Sequence, residues 1–548
     1  MLVGETLKRE AVLGAGASIL AVAVAVFVIR PLHGGAVDYD STASVIYFDR
    51  IITGRHLEHA LAATPKPFLT VVFGILHSIF HDWRPLVWAT IAAYGMSIGA
   101  AAVLARRVEN VAAGAFVVIA LVGAAPLLVD VSRAYAVAWA FLGWSIAGLA
   151  LSAERPRFGI AAIALMLASL ARIETLIIIV VGAIALVAGW GYSRWRHAAG
   201  PPRAAWLLLL ALLALPIMFL HDWLLTGDPL FWARVSATFS ASVTAAVASQ
   251  GPGYMIGWVT RFVGGFGALA ILAIVGFLSL IRQRRFPLAL GLVALGPGVA
   301  AFLVFLAARG IFVSTRYAMP IELAILFAAG IGFGSLRIPW LRELLDRAIS
   351  NRGLTWIRVP ASAAGAILFA MVSAALLAKP FGPLDRATTQ LIRTELKVAV
   401  DGDRLVPLVR RALSTFTGIS MAPMSGISDP STASSAVILR VPGLQVPRFA
   451  VDIDLPLFRI AGNSATELSG RDTVQLPGRV FYHDRRADPP GSLGILESSQ
   501  PVVLGGTKLV LLAADPSRGY WLWQVSLSRA NVQQRRPGVD QQESAPSR

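Results

Sequence analysis

The 548-residue chain has no cysteine and few charged residues. Without thiols it forms no disulfide, has no thiol nucleophile and offers no cysteine ligand to a metal. Its 8 histidines are spread along the chain, and we expect no zinc site. Charged residues make up 14% of the chain, whereas soluble domains average about 25%. The low charge excludes an ordinary soluble protein.

Apolar residues take the place of charge, at 56% of the chain. A run of about 20 apolar residues crosses a hydrocarbon core of about 30 Å. We therefore predict a polytopic α-helical membrane protein with about eleven transmembrane helices. The predicted spans are 11–29, 85–105, 111–129, 134–152, 158–171, 175–193, 204–221, 262–281, 286–307, 318–336 and 360–378.

The basic residues indicate the orientation. Lys8 and Arg9 precede the first run and place the N-terminus in the cytoplasm. With eleven spans, the later basic clusters all fall on the same side; they lie at residues 106–107, 155–157, 194–203, 282–285 and 337–358. The net charge of +17 is thus explained by cytoplasmic loops, and we expect no nucleic-acid partner. No small-residue cleavage site follows the first run, which predicts a retained helix.

The first outer loop, residues 31–84, is long. Residues 41–61 mix apolar and charged side chains, which fits a helix lying in the membrane interface. Residues 67–80 are apolar but too short to span comfortably, which favours an interfacial or re-entrant helix. The alternative is a true span at 67–80. We reject it because it would move Arg106 and Arg107 outside.

After residue 378 the chain has no spanning run. Residues 379–529 are predicted to form a C-terminal mixed α/β extracytoplasmic domain, with a polar helix at 385–413. Short β-like runs bounded by Gly and Pro follow at 436–441, 479–482, 501–503, 508–513 and 520–527. Residues 530–548 are rich in Gln, Arg, Pro and Ser and are predicted to be a disordered tail.

Two aspartates, Asp38 and Asp40, directly follow the first predicted span. On an extended segment they would face the same side. They could bind a metal, or one could be a general base that deprotonates a hydroxyl. Alternatively, they cap the helix that begins near Ser41. The sequence leaves these three interpretations open.

Basic side chains mark the outer ends of other apolar segments. Lys66 is held between two prolines, which suits a phosphate-binding ammonium or a lysine that snorkels to the lipid head groups. Arg172 and Arg316 could grip a phosphate in a bidentate manner, although Arg172 could simply pair with Glu174. Charged groups at such positions are costly and are usually functional or paired.

Asp130 lies at the end of the third predicted span, with Arg133 three residues later. Residues one helical turn apart can form an ion pair. The functional alternative is that Asp130 orients the acceptor or the base. We assign Arg133 and Glu174 to the same group of orienting residues.

The order of these motifs resembles the GT-C superfamily of membrane glycosyltransferases, which use polyprenyl-phosphate sugars. The resemblance covers residues 1–336, and its pieces occur in the order expected. They are Val37-Asp38-Tyr39-Asp40, Pro65-Lys66-Pro67-Phe68-Leu69, Asp130, Leu170-Ala171-Arg172-Ile173-Glu174-Thr175, Thr226-Gly227-Asp228-Pro229-Leu230 and the Arg-Tyr-x-x-Pro element at 316–320. Ile173 departs from the pattern, which has proline there, and residues 379–548 match no pattern.

The resemblance implies an inverting transfer of a sugar from a polyprenyl-phosphate donor to an envelope glycan, lipid or protein. Asp38 or Asp40 would be the base, and residues 1–378 would be the catalytic transmembrane domain. The donor phosphate would be held by Lys66, Arg172, Arg316 and Tyr317. Some members of the superfamily use a divalent metal, so Mg²⁺ or Mn²⁺ at Asp38 and Asp40 stays open.

The composition, rich in Ala and Arg and without cysteine, favours a bacterial inner membrane. The alternative function is a transporter or flippase of a lipid-linked or anionic solute, but transporters usually contain internal repeats, and none is evident. A scaffold protein would not need the acidic loop and the basic residues together.

Overall fold

In the computed structural model, the described residues are 2–29, 37, 39–57, 65–196, 201–234, 252–309 and 315–336, with six strands and Gln500. They belong to two compact units, Met1–Val400 and Asp401–Arg548. Asp38, the predicted span 360–378, the predicted helix 385–413 and the tail 530–548 lie outside the described residues. The domain boundary predicted near residue 378 also falls there and stays a prediction.

The first unit is helical, as the apolar runs predict. Its helices are α1 (Leu2–Ile29), α2 (Tyr39–Ile52), α3 (Pro67–Phe80), α4 (Arg84–Val108), α5 (Val111–Val122), α6 (Ala125–Ser132), α7 (Val137–Ser152), α8 (Phe158–Ala171), α9 (Thr175–Arg196), α10 (Ala214–Thr226), α11 (Pro252–Gly264), α12 (Ala268–Arg282), α13 (Phe286–Val293), α14 (Val299–Ala308) and α15 (Met319–Ser335). A 3₁₀ segment, Arg203–Leu213, leads into α10, and a π segment, Ala294–Gly298, joins α13 to α14.

Among the described residues, five helical segments are long and apolar enough to cross a membrane, or up to seven if each bent pair of helices is one span. The chain is therefore a polytopic helical membrane protein. Four further apolar helices are shorter, namely α3, α7, α8 and α15. The first ten predicted spans each coincide with described helical structure, and the eleventh lies outside it.

Two predicted spans are not single straight helices. The run 111–129 is divided into α5 and α6, which are bent by 63°. Pro126 in the first turn of α6 has no N–H to continue the preceding helix, which accounts for the break. The run 262–281 corresponds to α12, which begins after a bend of 88° from α11. Gly267 lies at this bend with a φ of 50°, a conformation that favours glycine.

Close helix packing fixes the position of α15, which carries part of the site described below. A Cβ atom on Gly332 of α15 would collide with the carbonyl oxygen of Leu272 in α12. A Cβ atom on Gly276 would likewise collide with the carbonyl oxygen of Ala328. Small residues allow helix backbones to approach this closely in membranes, where van der Waals packing replaces the hydrophobic driving force.

The two helices of the first outer loop pack on each other. Phe48 of α2 lies directly over Gly74 of α3, where a Cβ atom would overlap its ring. α2 is buried over most of its length, including the hydroxyl-bearing residues Ser41, Thr42 and Ser44. Each of these hydroxyl groups donates a hydrogen bond to a backbone carbonyl. A helix with polar residues can therefore be enclosed by protein here without leaving these donors unsatisfied.

The described part of the second unit is a six-stranded sheet of order β2-β1-β3-β6-β5-β4. The strands are β1 (Leu439–Pro442), β2 (Ile460–Asn463), β3 (Val480–Asp484), β4 (Val502–Leu504), β5 (Thr507–Asp515) and β6 (Tyr520–Val525). β1 pairs in parallel with β2 and β3, and the other pairs are antiparallel. Five strands overlap predicted runs. β2 was missed because its Gly and Asn have low strand propensity.

Candidate active site

Asp40 lies in the first turn of α2, where a negative charge is favoured by the helix dipole. The neighbouring Ser41 Oγ donates a hydrogen bond of 2.8 Å to the backbone carbonyl of Ala134, in the turn that follows α6. Ala134 has a φ of 58°, an unusual conformation for a residue with a Cβ atom. This bond fixes the start of α2 against the turn that contains Arg133 and follows α6, the helix that carries Asp130.

Lys66 pairs with Asp40. Lys66 Nζ donates to Asp40 Oδ2 at 3.0 Å, and each side chain is only 16% exposed. Lys66 occupies the N-cap position of α3, and Pro67 begins the helix. The N-terminus of a helix favours anions because its first N–H groups are unpaired and its dipole is positive there. Because Lys66 is mostly buried, its side chain lies within the protein and does not snorkel to the lipid head groups. Its position at the N-terminus of α3 is suited to binding an anion.

Arg172 and Glu174 form a second ion pair, in the turn between α8 and α9. Arg172 Nη2 and Nε donate to the two carboxylate oxygens of Glu174 at 2.7 and 3.3 Å. Their side chains are 7% and 3% exposed. Burial alone would raise the pKa of the Glu174 carboxyl group, but Arg172 holds that pKa below its ordinary value. The simple pairing considered from the sequence is thus the arrangement observed.

Electrostatic interactions connect the two ion pairs to further residues. The charge of Lys66 acts on Glu174, and the charge of Asp130 acts on Arg172. Burial alone would lower the pKa of the Arg172 guanidinium, but its anionic neighbours, chiefly Glu174, hold that pKa above its ordinary value. The Arg172 guanidinium also lies 6.0 Å from the centre of the Tyr317 ring. The cluster comprises Asp40, Lys66, Asp130, Arg172, Glu174 and Tyr317.

For the other predicted site residues, the structure describes fewer contacts or none. Arg133 is buried, and its guanidinium lies 4.8 Å from the centre of the Tyr135 ring. Arg316 lies in a 3₁₀ turn, Thr315–Ala318, directly before α15, but its side chain is outside the described atoms. Asp38 is also outside the described residues, so its role stays a prediction.

The sequence did not predict a buried network of polar side chains near Asp40. The network contains His221 and Asp222 of α10 and Thr70 of α3. His221 Nε2 lies 3.1 Å from Thr70 Oγ1, and Nδ1 lies 3.4 Å from Asp222 Oδ1. Asp222 Oδ2 in turn accepts a hydrogen bond of 2.7 Å from the backbone N–H of Trp232. A single histidine in an apolar run gives no sequence signal for such a network.

Tyr47 connects this group to Asp40. Its ring meets that of His221 edge to face, with 6.4 Å between the ring centres. Burial raises the pKa of the Tyr47 hydroxyl group, and the charges of Tyr39, Asp40 and Asp222 raise it further. Tyr47 follows Asp40 by two helical turns, so the two lie on one face of α2. That spacing was the one signal in the sequence that could have identified it.

The described residues contain no cluster of three or more His, Asp or Glu side chains that could hold a metal ion. His77 and His81 have the spacing of two zinc ligands at the end of α3. However, the described part of the chain brings no third ligand to them. Asp40 directs Oδ2 at Lys66, whose ammonium would compete with a cation.

An apolar cavity of about 110 Å³ lies among α4, α7, α8, α9, α13 and α15. Trp144 and Ile178 are among the residues that line it. Trp144 Nε1 donates a hydrogen bond of 3.1 Å to Thr175 Oγ1, in the residue after Glu174. Trp144 thus connects the lining of the cavity to the residue that follows Glu174 in the chain.

The fold is that of the solved structure of ArnT, which agrees with the resemblance drawn from the order of the motifs. The chain is similar to ArnT from Cupriavidus metallidurans in the apo state, with a TM-score of 0.50 and 16% identity over 93% of this chain and 97% of that one. Identity this low shows the fold alone.

Two further solved structures are similar at lower TM-scores. ArnT from Cupriavidus metallidurans bound to undecaprenyl phosphate has a TM-score of 0.45 and 14% identity, covering 94% of this chain and 98% of that one. The Archaeoglobus fulgidus oligosaccharyltransferase complex with Zn and sulfate has a TM-score of 0.43 and 12% identity, covering 85% and 68%. No protein-family model and no curated protein sequence matches the chain.

Proposed function

We propose that this protein is a membrane glycosyltransferase. It moves a sugar, with inversion, from a polyprenyl phosphate to an extracytoplasmic acceptor that is an envelope glycan, a lipid or a protein. The observation that carries the proposal is the buried cluster in which Lys66, at the N-terminus of α3, and Arg172 are each paired with a carboxylate. The GT-C fold supports the same class of reaction.

The donor phosphate would be bound by Lys66, the N-terminus of α3 and Arg172, together with Arg316 and Tyr317. When the sugar leaves, negative charge grows on the phosphate oxygens, and fixed cations stabilise that charge in the transition state. Both described cations are paired with carboxylates in this structure. The phosphate must therefore compete with Asp40 for Lys66.

That competition gives Asp40 a role as the base. While Lys66 is bound to it, Asp40 Oδ2 is occupied by the ammonium and is not available to an acceptor hydroxyl group. A phosphate that takes over Lys66 leaves Asp40 available to an acceptor hydroxyl group. The hydroxyl oxygen then attacks the anomeric carbon, its proton goes to Asp40, and the carbon–oxygen bond to phosphate breaks with its electron pair on the phosphate. Asp38 is the rival base.

The remaining site residues would orient these groups. Glu174 holds the guanidinium of Arg172. Asp130 lies near the end of α6, and Arg133 lies in the following turn, which Ser41 fixes to α2. His221 and Tyr47 support the same face of α2 as Asp40. The isoprenoid chain of the donor would run along the apolar cavity that Trp144 lines. The charges lie at helix ends and turns, which favours a transferase over a transporter with a site at the midplane.

We place the protein in a bacterial inner membrane with eleven spans, the N-terminus in the cytoplasm and the C-terminal domain outside. Because the chain has no cysteine, a single introduced cysteine reports on one position. Asp82→Cys and Arg155→Cys are suitable because both residues are exposed, after α3 and α7 respectively. In intact cells, a membrane-impermeant maleimide should label position 82 and not position 155. The reverse pattern would contradict the orientation.

Binding of undecaprenyl phosphate tests the proposed donor. We expect it to raise the thermal unfolding midpoint of the purified protein, because a ligand that binds only the folded state stabilises it. Lys66→Met should abolish most of that rise. The control is Arg107→Met, since Arg107 also forms a close ion pair, with Glu10 at 2.6 Å, but at the C-terminal end of α4. An equal rise in Lys66→Met and wild type would overturn the assignment of Lys66.

A further inference from the structure

Glu322 is a buried acidic residue that the proposed mechanism does not use. It lies in the first turn of α15 and its residue is 1% exposed. Its Oε1 atom is buried and has no hydrogen-bond partner among the described residues. Leaving a buried polar atom unsatisfied costs about 1–3 kcal/mol, and more for a charged group. The helix dipole favours an acidic residue in the first turn of α15, but it does not account for the buried oxygen that lacks a hydrogen bond.

The surroundings of Glu322 place it at the edge of the site. Its carboxyl group lies within electrostatic range of Asp130, and Asp130 in turn acts on Arg172. Tyr317, whose ring is 6.0 Å from the Arg172 guanidinium, lies in the turn that leads into the same helix. The packing of Gly332 and Gly276 fixes α15, so Glu322 cannot easily withdraw from this position.

We propose that Glu322 is a specificity-determining residue that accepts a hydrogen bond from the transferred sugar. The inference rests on the proposed function, because a sugar enters this cluster only if the donor phosphate is bound there. Oε1 is an acceptor, so its partner is a hydrogen-bond donor on the sugar ring, either a hydroxyl or an ammonium group. A site built to bond such a group discriminates strongly against sugars that lack it.

Two variants separate this role from a structural one. Glu322→Met removes the unsatisfied oxygen at similar volume, so the unfolding midpoint should stay the same or rise. The matched control is Glu109→Met. Glu109 Oε2 accepts hydrogen bonds from Ser279 Oγ at 3.2 Å and Gln283 Nε2 at 2.5 Å, so its loss should lower the midpoint. Glu322→Gln keeps a neutral acceptor oxygen.

The readout is the ratio of two dissociation constants, for undecaprenyl phosphate alone and for undecaprenyl phosphate carrying a hexose, a pentose or an amino sugar. In Glu322→Met we expect the affinity gained from the preferred sugar to fall roughly 3- to 10-fold, as for the loss of one hydrogen bond. Binding of the bare lipid should be unchanged. If Glu322→Gln keeps the affinity gained from the sugar, the partner of Glu322 is a sugar hydroxyl group. If Glu322→Gln loses that affinity, the partner is an ammonium group.

Three results would overturn the proposal. An unchanged ratio in Glu322→Met, with wild-type binding of the bare lipid, would exclude a contact between Glu322 and the sugar but would leave the proposed function intact. A lowered midpoint in Glu322→Met with an unchanged ratio would assign it a structural role. Failure of the wild type to bind any undecaprenyl phosphate would refute the proposed function, and the role of Glu322 with it.

Discussion

Replacing Asp40 with Asn should lower kcat for sugar transfer by about 10²- to 10⁴-fold, the usual contribution of a general base. Asn has nearly the same shape but cannot take up the proton of the acceptor hydroxyl. KM for the donor should stay the same or fall, because Lys66 no longer has a competing carboxylate and is free for the phosphate. Initial rates with a polyprenyl-phosphate sugar in reconstituted vesicles measure both quantities.

Asp49→Asn is the matched control for this change. Asp49 lies on the same helix, pairs with Arg50 at 2.8 Å and has a side chain that is 51% exposed. It should retain wild-type kcat. Full activity in Asp40→Asn would exclude Asp40 as the base, and Asp38→Asn would then be the decisive variant. Full activity in the double variant would reject both aspartates.

The second large effect is expected on stability, from the buried ion pair of Arg172 and Glu174. Arg172→Met should lower the free energy of unfolding by about 3–5 kcal/mol, because it leaves a buried carboxylate without its cation. The double variant Arg172→Met/Glu174→Leu should recover most of that loss, since apolar residues of similar volume often replace a buried ion pair without cost. Thermal or denaturant unfolding in detergent measures both variants.

Activity should separate from stability in the same pair of variants. If Arg172 holds the donor phosphate, neither variant binds undecaprenyl phosphate as the wild type does, although the double variant is stable. A double variant that is both stable and fully active would show that the pair is only structural. Arg107→Met, which breaks the pair at the end of α4, should leave donor binding intact.

The pH dependence has a definite sign for this pair. The pKa of Glu174 is held below its ordinary value of 4.5 in the folded protein. Its contribution to stability is therefore fully present above pH 4.5 and is lost as the pH falls through the lowered pKa. In Arg172→Met/Glu174→Leu the unfolding midpoint should fall less steeply than in the wild type below that pH.

The types and order of the site residues were accessible from the sequence. Asp40, Lys66, Asp130, Arg172 and Glu174 each stand at the end of an apolar run, where a charge is conspicuous. Arg172 and Glu174 are two residues apart, so their pairing was also foreseeable. The break between α5 and α6 was less accessible, because a proline in an apolar run can either kink a helix or end it.

Contacts between residues that lie far apart in the chain could not be predicted from the sequence. Lys66 reaches Asp40 across 26 residues, Ser41 reaches Ala134 across 93, and His221 reaches Thr70 across 151. Nothing in the local pattern around His221 distinguishes it from a histidine at a lipid interface. No motif in the sequence marks Glu322, near the start of α15, as a site residue.

The sequence by itself determined that this is a helical membrane protein with charges gathered at the ends of its helices. It could do so because hydropathy and charge act locally, and a run of apolar residues needs no partner in order to be identified. Only the tertiary structure decided that Lys66 neutralises Asp40, and that Oε1 of Glu322 is buried with no partner in the part of the chain that the structure describes. Burial and pairing depend on packing between distant segments, and that packing changes the cost of each charge.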